Sequence, residues 1–226
     1  MAIAIDGPSG SGKSTLAKRL ASHFGFLYVD TGALYRAVGL HAIRQGISKD
    51  DVKAVEDMLT DLSVTLELHD SVSTPLLNGE DVTSLIRTSE VAAYASSLSA
   101  MPAVRAFLLD LQKRIANSAS VVMDGRDIGA VIIPDAQVKI FLTASDSDRA
   151  ERRYAELSAA GSTETLDEVL EKMKQRDYGD KNRAIAPAVP AADAVILDNT
   201  GFTRDQTFER ALEIVRSRAV PECIDL

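Results

Sequence analysis

One stretch carries the clearest chemistry: Gly7-Pro8-Ser9-Gly10-Ser11-Gly12-Lys13-Ser14, with Thr15 directly behind it. It fits G-x-x-x-x-G-K-[ST], the spacing of a phosphate-binding loop, or P-loop. The residue types follow from the task. Main-chain N–H groups must converge on phosphate oxygens, so few Cβ atoms are tolerated and φ must be free. Such a loop opens a helix, whose N-terminal partial charge favours an anion. Lys13 would place a full charge at the β- and γ-phosphates, and the Ser14 hydroxyl can ligate Mg²⁺. The competing reading is a glycine-rich structural turn. Chance gives the bare pattern in about one chain per hundred of this length, and a strand before it with a helix after it lowers that further.

Further polar clusters stand apart from the loop. Asp30-Thr31-Gly32-Ala33-Leu34-Tyr35-Arg36 follows a second apolar run, and Asp124-Gly125-Arg126-Asp127 follows a third. Strand ends of this kind are where α/β sheets bind ligands. Asp124 ends its strand as a metal-organising aspartate would, and equally as a turn aspartate does. Arg149, Arg152 and Arg153 fall at i, i+3 and i+4, which puts three guanidiniums on one helix face. Arg176, Asp180 and Arg183 share another face at i, i+4 and i+7. Isolated charged helices are usually solvated faces with i,i+4 ion pairs. Behind a P-loop, phosphoryl transfer offers such cations a second role. A GTPase would need a guanine-reading N-K-x-D motif, which is absent. Asp198-Asn199-Thr200-Gly201 matches D-x-x-G but lies too near the C-terminus for a switch loop.

The elements that must hold these residues are legible from apolar spacing. Ala2–Ile5, Leu27–Val29, Ser120–Met123, Val138–Leu142 and Ala194–Leu197 read as short strands. Helical spacing covers Ser14–Phe24, Leu34–Ile43, Val52–Leu62, Glu90–Asn117 with a break near Pro102, Asp146–Leu157, Leu166–Asn182 and Thr203–Arg218. Between residues 63 and 83 the period changes to two, with turn signals at Pro75, Asn78-Gly79 and Asp81, which predicts a small antiparallel insert. Strands separated by helices predict an α/β fold with a parallel sheet.

The chain has 226 residues, 46% hydrophobic and 26% charged, with a formal net charge of −8. That is globular composition, and its sign argues against a general binder of nucleic acid or anionic membranes. Cys223 is the single cysteine, so a disulfide framework within the chain is excluded. The longest uncharged run, Val91 to Val104, is shorter than the ~18 apolar residues a membrane span needs. The N-terminus meets a charge at Asp6 and has no basic region, unlike a signal peptide. A cytoplasmic location is expected.

The motifs after strands two and three, together with Arg176-Asp177-x-x-Asp180-x-x-Arg183-Ala184-x-Ala186-Pro187, resemble bacterial cytidylate kinases, within the nucleoside monophosphate kinase group of P-loop kinases. The match runs in order over nearly the whole chain. The P-loop alone would not separate this family from shikimate or adenylate kinases; the other segments do. The resemblance implies an α/β P-loop kinase core with a five-stranded parallel sheet flanked by helices, plus an antiparallel monophosphate-binding insert and a helical lid. It implies a single domain over 1–226, with core 1–34, 89–145 and 184–226, monophosphate-binding lobe 35–88 and lid 146–183.

The implied activity is transfer of the ATP γ-phosphoryl group to CMP or dCMP, with Mg²⁺, by a monomer that has no nucleic-acid or membrane partner. By matching position, Gly7 through Thr15 would hold ATP, and Ser14 the metal. Thr31, Arg36, Arg126 and Arg183 would hold the acceptor phosphate. Ser96, Arg105 and Asp127 would surround the cytosine, and Arg176 and Asp180 would reach the ribose. Lys13, Arg126, Arg183, Arg149 and Arg153 would be the catalytic cations. The chain departs from some relatives at Tyr178-Gly179 and Lys181, inside the lid. The rival readings are a non-catalytic nucleotide-dependent switch and a kinase for another small acceptor. An acceptor phosphate is already largely ionised near pH 7, its second pKa being ~6. No base is then needed, and none of His23, His41 or His69 falls in a motif.

Overall fold

A computed structural model describes residues 1–69, 72–159 and 161–218; Cys223 lies outside them. Five strands form a parallel sheet: β1 (Ala2–Asp6), β2 (Leu27–Asp30), β6 (Val121–Gly125), β7 (Val138–Thr143) and β8 (Val195–Asp198). Their order is β2-β6-β1-β7-β8. The three remaining strands, β3 (Val64–His69), β4 (Val72–Leu77) and β5 (Glu80–Asp81), make a separate antiparallel sheet. The helices are α1 (Lys13–Phe24), α2 (Thr31–Arg44), α3 (Val52–Met58), α4 (Ser89–Leu98), α5 (Pro102–Ala116), α6 (Asp146–Ala159), α7 (Leu166–Asn182) and α8 (Arg204–Arg218).

β1 shows why the sheet is central. Ile3 and Ile5 point to one face and pack with Leu16 and Leu20 of α1 and Phe208 and Val215 of α8. Ala4 points to the other face, among Val29, Met123, Ile128 and Ile115. Both faces are covered, as a parallel sheet requires, so its strands read as continuous apolar runs. A second core lies between α2, α4, α5 and the antiparallel sheet, around Leu34, Val38, Leu77, Leu98 and Leu108. α6 and α7 share a small apolar cluster, with Ala150, Val169 and Met173 buried and Leu157 and Leu170 packed against them, and the Arg149–Asp177 ion pair. Thr165 and Glu168 close a reciprocal capping box at the start of α7.

In register, Asp6 of β1 sits beside Gly125 of β6, and Asp30 of β2 beside Asp124. The acidic strand ends are therefore level at one edge of the sheet. α2 begins at Thr31, three residues before its apolar pattern does, because the Asp30 carboxylate accepts from the Ala33 N–H at 3.1 Å and caps the first turn. α3 ends at Met58, short of the expected Leu62. The predicted break near Pro102 separates α4 from α5 with a bend of 98°. Pro102 opens α5, where its missing N–H costs nothing. No single helix among the described residues is long and apolar enough to cross a membrane. Two short features had no signal in the apolar pattern: a 3₁₀ turn at Leu85–Arg87 and a π-turn at Ile128–Ile132.

Candidate active site

The P-loop joins β1 to α1. Gly7 has φ +148°, and a Cβ there would stand 2.0 Å from the Leu142 carbonyl oxygen of β7. Gly10, at φ +73°, lies against α6 and α7: its Cβ would stand 2.8 Å from the Arg149 carbonyl oxygen and 2.9 Å from Met173 Cε. These glycines serve close backbone approach. Ser9, Gly10, Gly12, Lys13, Ser14 and Thr15 face a cleft of about 340 Å³, whereas Gly7, Pro8 and Ser11 are not on its lining. The Pro8 carbonyl accepts from Lys13 Nζ at 2.7 Å.

The adjoining wall of the cleft is built from the strand ends. Asp124 is buried; Ser14 Oγ donates to its Oδ2 at 2.7 Å and Tyr28 Oη to its Oδ1 at 2.9 Å. Burial, with Asp30 nearby, pushes the Asp124 carboxyl up to about 6. Thr31 Oγ1 donates to the Asp124 carbonyl at 2.8 Å. Arg36 lies 3.5 Å from Asp30, the helix cap.

Cations crowd the middle of the cleft. Lys13, Arg36, Arg126 and Arg176 all line it. Burial, then the charge of Arg126, holds Lys13 well below its ordinary range. The same two causes lower Arg176 to about 10, and its Nε is buried with no hydrogen-bond partner among the described residues. Asp180 is buried beside them; Arg126 Nε donates to it at 2.9 Å, and Arg183 lies 4.0 Å away. The Arg176/Asp180/Arg183 face is thus aimed inward, and Asp180 is an ion-pair partner of Arg126.

At the far end Asp127 is buried between two guanidiniums. Arg105 Nη2 donates to one carboxylate oxygen and Arg183 Nη2 to the other, the latter at 3.3 Å. Burial pushes the Asp127 carboxyl up while both arginines pull it down. Arg105 also donates to the Ser99 carbonyl at 3.3 Å, and Arg183 Nη1 lies 3.5 Å from Ser99 Oγ. Ser96 lines the cleft one turn earlier on α4. Ser99 carries no motif and was not anticipated; its one signal is the serine spacing before Pro102.

Arg149, Arg152 and Arg153 share one face of α6, as their spacing predicts, but not the same surroundings. Arg149 is buried behind the P-loop, where it donates to the Ser9 carbonyl and pairs with Asp146 and Asp177. Arg152 turns to Asn199, donating to its Oδ1 and its carbonyl, each at 3.1 Å. Only Arg153 lines the cleft, beside its partner Glu156. The helix stripe runs from the protein interior to its surface, so equal spacing does not mean equal surroundings.

Asn199 is a further residue that spacing did not reveal. It is buried, and its Nδ2 donates to the Ser11 carbonyl of the P-loop at 3.1 Å. With Arg152, Phe202 and Arg204 it lines a second cleft of about 480 Å³ that meets the first at Gly10, Gly12, Thr15 and Glu156. Neither His23 nor His41 lines either cleft.

A family model described as "Cytidylate kinase" matches residues 3–217. The chain belongs to the cytidylate kinase family. Among its relatives, the cytidylate kinase of Desulfitobacterium hafniense is 45% identical over 216 residues, covering 96% of this chain and 93% of that one. The cytidylate kinase of Solibacter usitatus is 46% identical over 218 residues, covering 96% and 92%. By shape the chain resembles an uncharacterized protein from Eubacterium ventriosum with a TM-score of 0.53 at 15% identity, over 96% of this chain and 99% of that one, a likeness of fold alone. The α/β arrangement expected from the resemblance, a five-stranded parallel sheet with an antiparallel insert and flanking helices, is the one described above.

Proposed function

We propose that the first cleft transfers the γ-phosphoryl group of ATP to the phosphate of CMP or dCMP, releasing ADP and CDP or dCDP. One observation carries this reading: a P-loop and a buried carboxylate held between two arginines open into the same cleft, with Lys13, Arg126 and Arg176 lining it between them. Two anionic phosphates must be brought together there. Lys13, Arg126 and Arg176 offset that repulsion and stabilise charge on the migrating group, with Arg183 and Arg153 at its edges. Arg149 acts behind them, fixing the P-loop against α7. The P-loop holds the ATP phosphates, and the second cleft takes the rest of the donor. Thr31 and Arg36 face the acceptor phosphate, and Arg176 with Asp180 the ribose. No side chain is required as a base.

A divalent cation fits the donor set. Ser14 and Asp124 present hard oxygen ligands beside the P-loop, and Mg²⁺ takes few protein ligands besides phosphate oxygens and water. Among the described residues no group of three or more acidic, His or Cys side chains could hold a metal alone. Bound between Ser14, Asp124 and ATP, Mg²⁺ would neutralise charge on the β- and γ-phosphates. Residues 35–88 serve as the acceptor lobe and 146–183 as the lid, whose closure would exclude water. The acidic chain, of net charge −8, works as a cytoplasmic monomer without nucleic-acid or membrane partners.

The base is read by Asp127, Arg105 and Ser96. Cytosine offers an N4 donor beside N3 and O2 acceptors. A carboxylate accepts from N4, as acidic side chains do with cytosine in DNA. Uracil presents O4 there, so the carboxylate would face an oxygen. Each mismatched buried pair costs roughly 1–3 kcal/mol, or about 5- to 150-fold. ADP release from ATP-Mg with CMP, dCMP, UMP, AMP, GMP and shikimate in parallel should favour the two cytosine substrates. Asp127→Asn should lower kcat/KM for CMP and shrink the CMP/UMP ratio within that same range. Equal wild-type turnover of UMP and CMP would remove this base pocket; no dependence on any acceptor would remove the kinase.

A further inference from the structure

Asp6 is a buried carboxylate, 5% exposed, that does not line the cleft. It ends β1 and is followed directly by Gly7, the first residue of the P-loop. Its two oxygens accept from successive main-chain amides of the π-turn, Ile128 N at 2.8 Å and Gly129 N at 2.8 Å. Those amides open a helical turn and have no partner inside it, so something must cap them. The residue placed to do so is Asp127, at the N-cap position, and aspartate there ordinarily bonds its own turn. Asp127 makes no such bond. Its carboxylate turns the other way, to Arg105 and Arg183. The charged groups acting on Asp6 are Asp127 itself and Lys13.

We infer that Asp6 is a positioning residue for base selection: by capping the π-turn from β1, it releases the Asp127 carboxylate to read the acceptor base. The inference rests on the cytosine-reading role proposed for Asp127. Without Asp6, the free amides of Ile128 and Gly129 compete with Arg105 and Arg183 for Asp127. Asparagine at position 6 keeps the shape but aims an NH₂ at one of the two N–H groups.

A double-mutant cycle tests this. In the full-length enzyme, Asp6→Asn should lower the CMP/UMP ratio of kcat/KM by about tenfold, mostly through KM for CMP, the scale of one unpaired buried group. ATP-Mg affinity measured without acceptor should stay within about twofold, since the P-loop keeps its own backbone. In an Asp127→Asn background, adding Asp6→Asn should leave the ratio unchanged. An unchanged ratio in the single variant, or an equal fall in both backgrounds, overturns the inference. If Asp6→Asn does not fold, Asp6→Ser, which retains one acceptor, is read in the same cycle; two variants that fail to fold make Asp6 a folding strut and also overturn it. Failure of the underlying reading looks different: the wild-type enzyme would then not distinguish CMP from UMP.

Discussion

Lys13→Met should lower kcat with CMP by about 10²- to 10³-fold, the scale of removing one preorganised charge from a transition state. It should leave the melting temperature of the nucleotide-free protein no lower than wild type. The two halves have one cause. Lys13 is buried, and burial and the neighbouring Arg126 charge depress its pKa. A lysine whose folded pKa is lowered costs stability, a cost that is absent above the unfolded value, grows as pH falls from there to the folded value and is complete below it. Methionine keeps the apolar stem and removes the cost. Initial rates and calorimetry on the same preparation check both halves. Turnover within tenfold of wild type would take Lys13 out of the transfer step.

Asp124→Asn should separate stability from activity even more clearly. Burial raises the Asp124 carboxyl from 3.8 to about 6. Because the folded value lies above the unfolded one, folding favours the protonated form. That advantage is complete below about pH 4 and is lost as pH rises through about 6. At pH 8 the buried carboxylate therefore costs on the order of 3 kcal/mol, which corresponds to roughly 5–10 °C for a domain of this size. The asparagine variant should melt higher than wild type at pH 8, and the gap should close by pH 4 to 5. Its activity should fall by about 10²-fold or more, with a higher magnesium requirement, as loss of a metal-organising ligand predicts. A melting difference that stays flat from pH 4 to 8 would mean that Asp124 does not titrate on folding.

Much of this site was legible before the fold. The five core strands announced themselves as apolar runs because both faces of the sheet are covered. The P-loop, Asp30, Asp124 and Asp127 stood out because each ends or closely follows such a run. Other features depend on contacts that spacing cannot express. The π-turn at Ile128–Ile132 is capped by Asp6, 122 residues earlier for the first amide, so its own neighbourhood carries no helix signal. Asn199 matters through the Ser11 carbonyl, 188 positions away. The arginines of α6 have regular spacing, yet Arg149 meets the P-loop and Asp177 while Arg153 meets open cleft. Periodicity reports which way a side chain leaves its helix; what it then meets is decided by tertiary packing.

The absence of room at Gly10 has a thermodynamic corollary. The P-loop is pressed against the Arg149 carbonyl and Met173, so its conformation and the posture of α6 and α7 are not independent variables. Linkage then requires reciprocity: whatever factor nucleotide binding applies to the equilibrium of the helix pair, the pair applies to nucleotide affinity. Because that pair shares a small apolar cluster and the Arg149–Asp177 ion pair, its equilibrium is adjustable by changes in either. ATP affinity in this enzyme is consequently a property that substitutions in α7, including ones that touch no nucleotide, are able to tune.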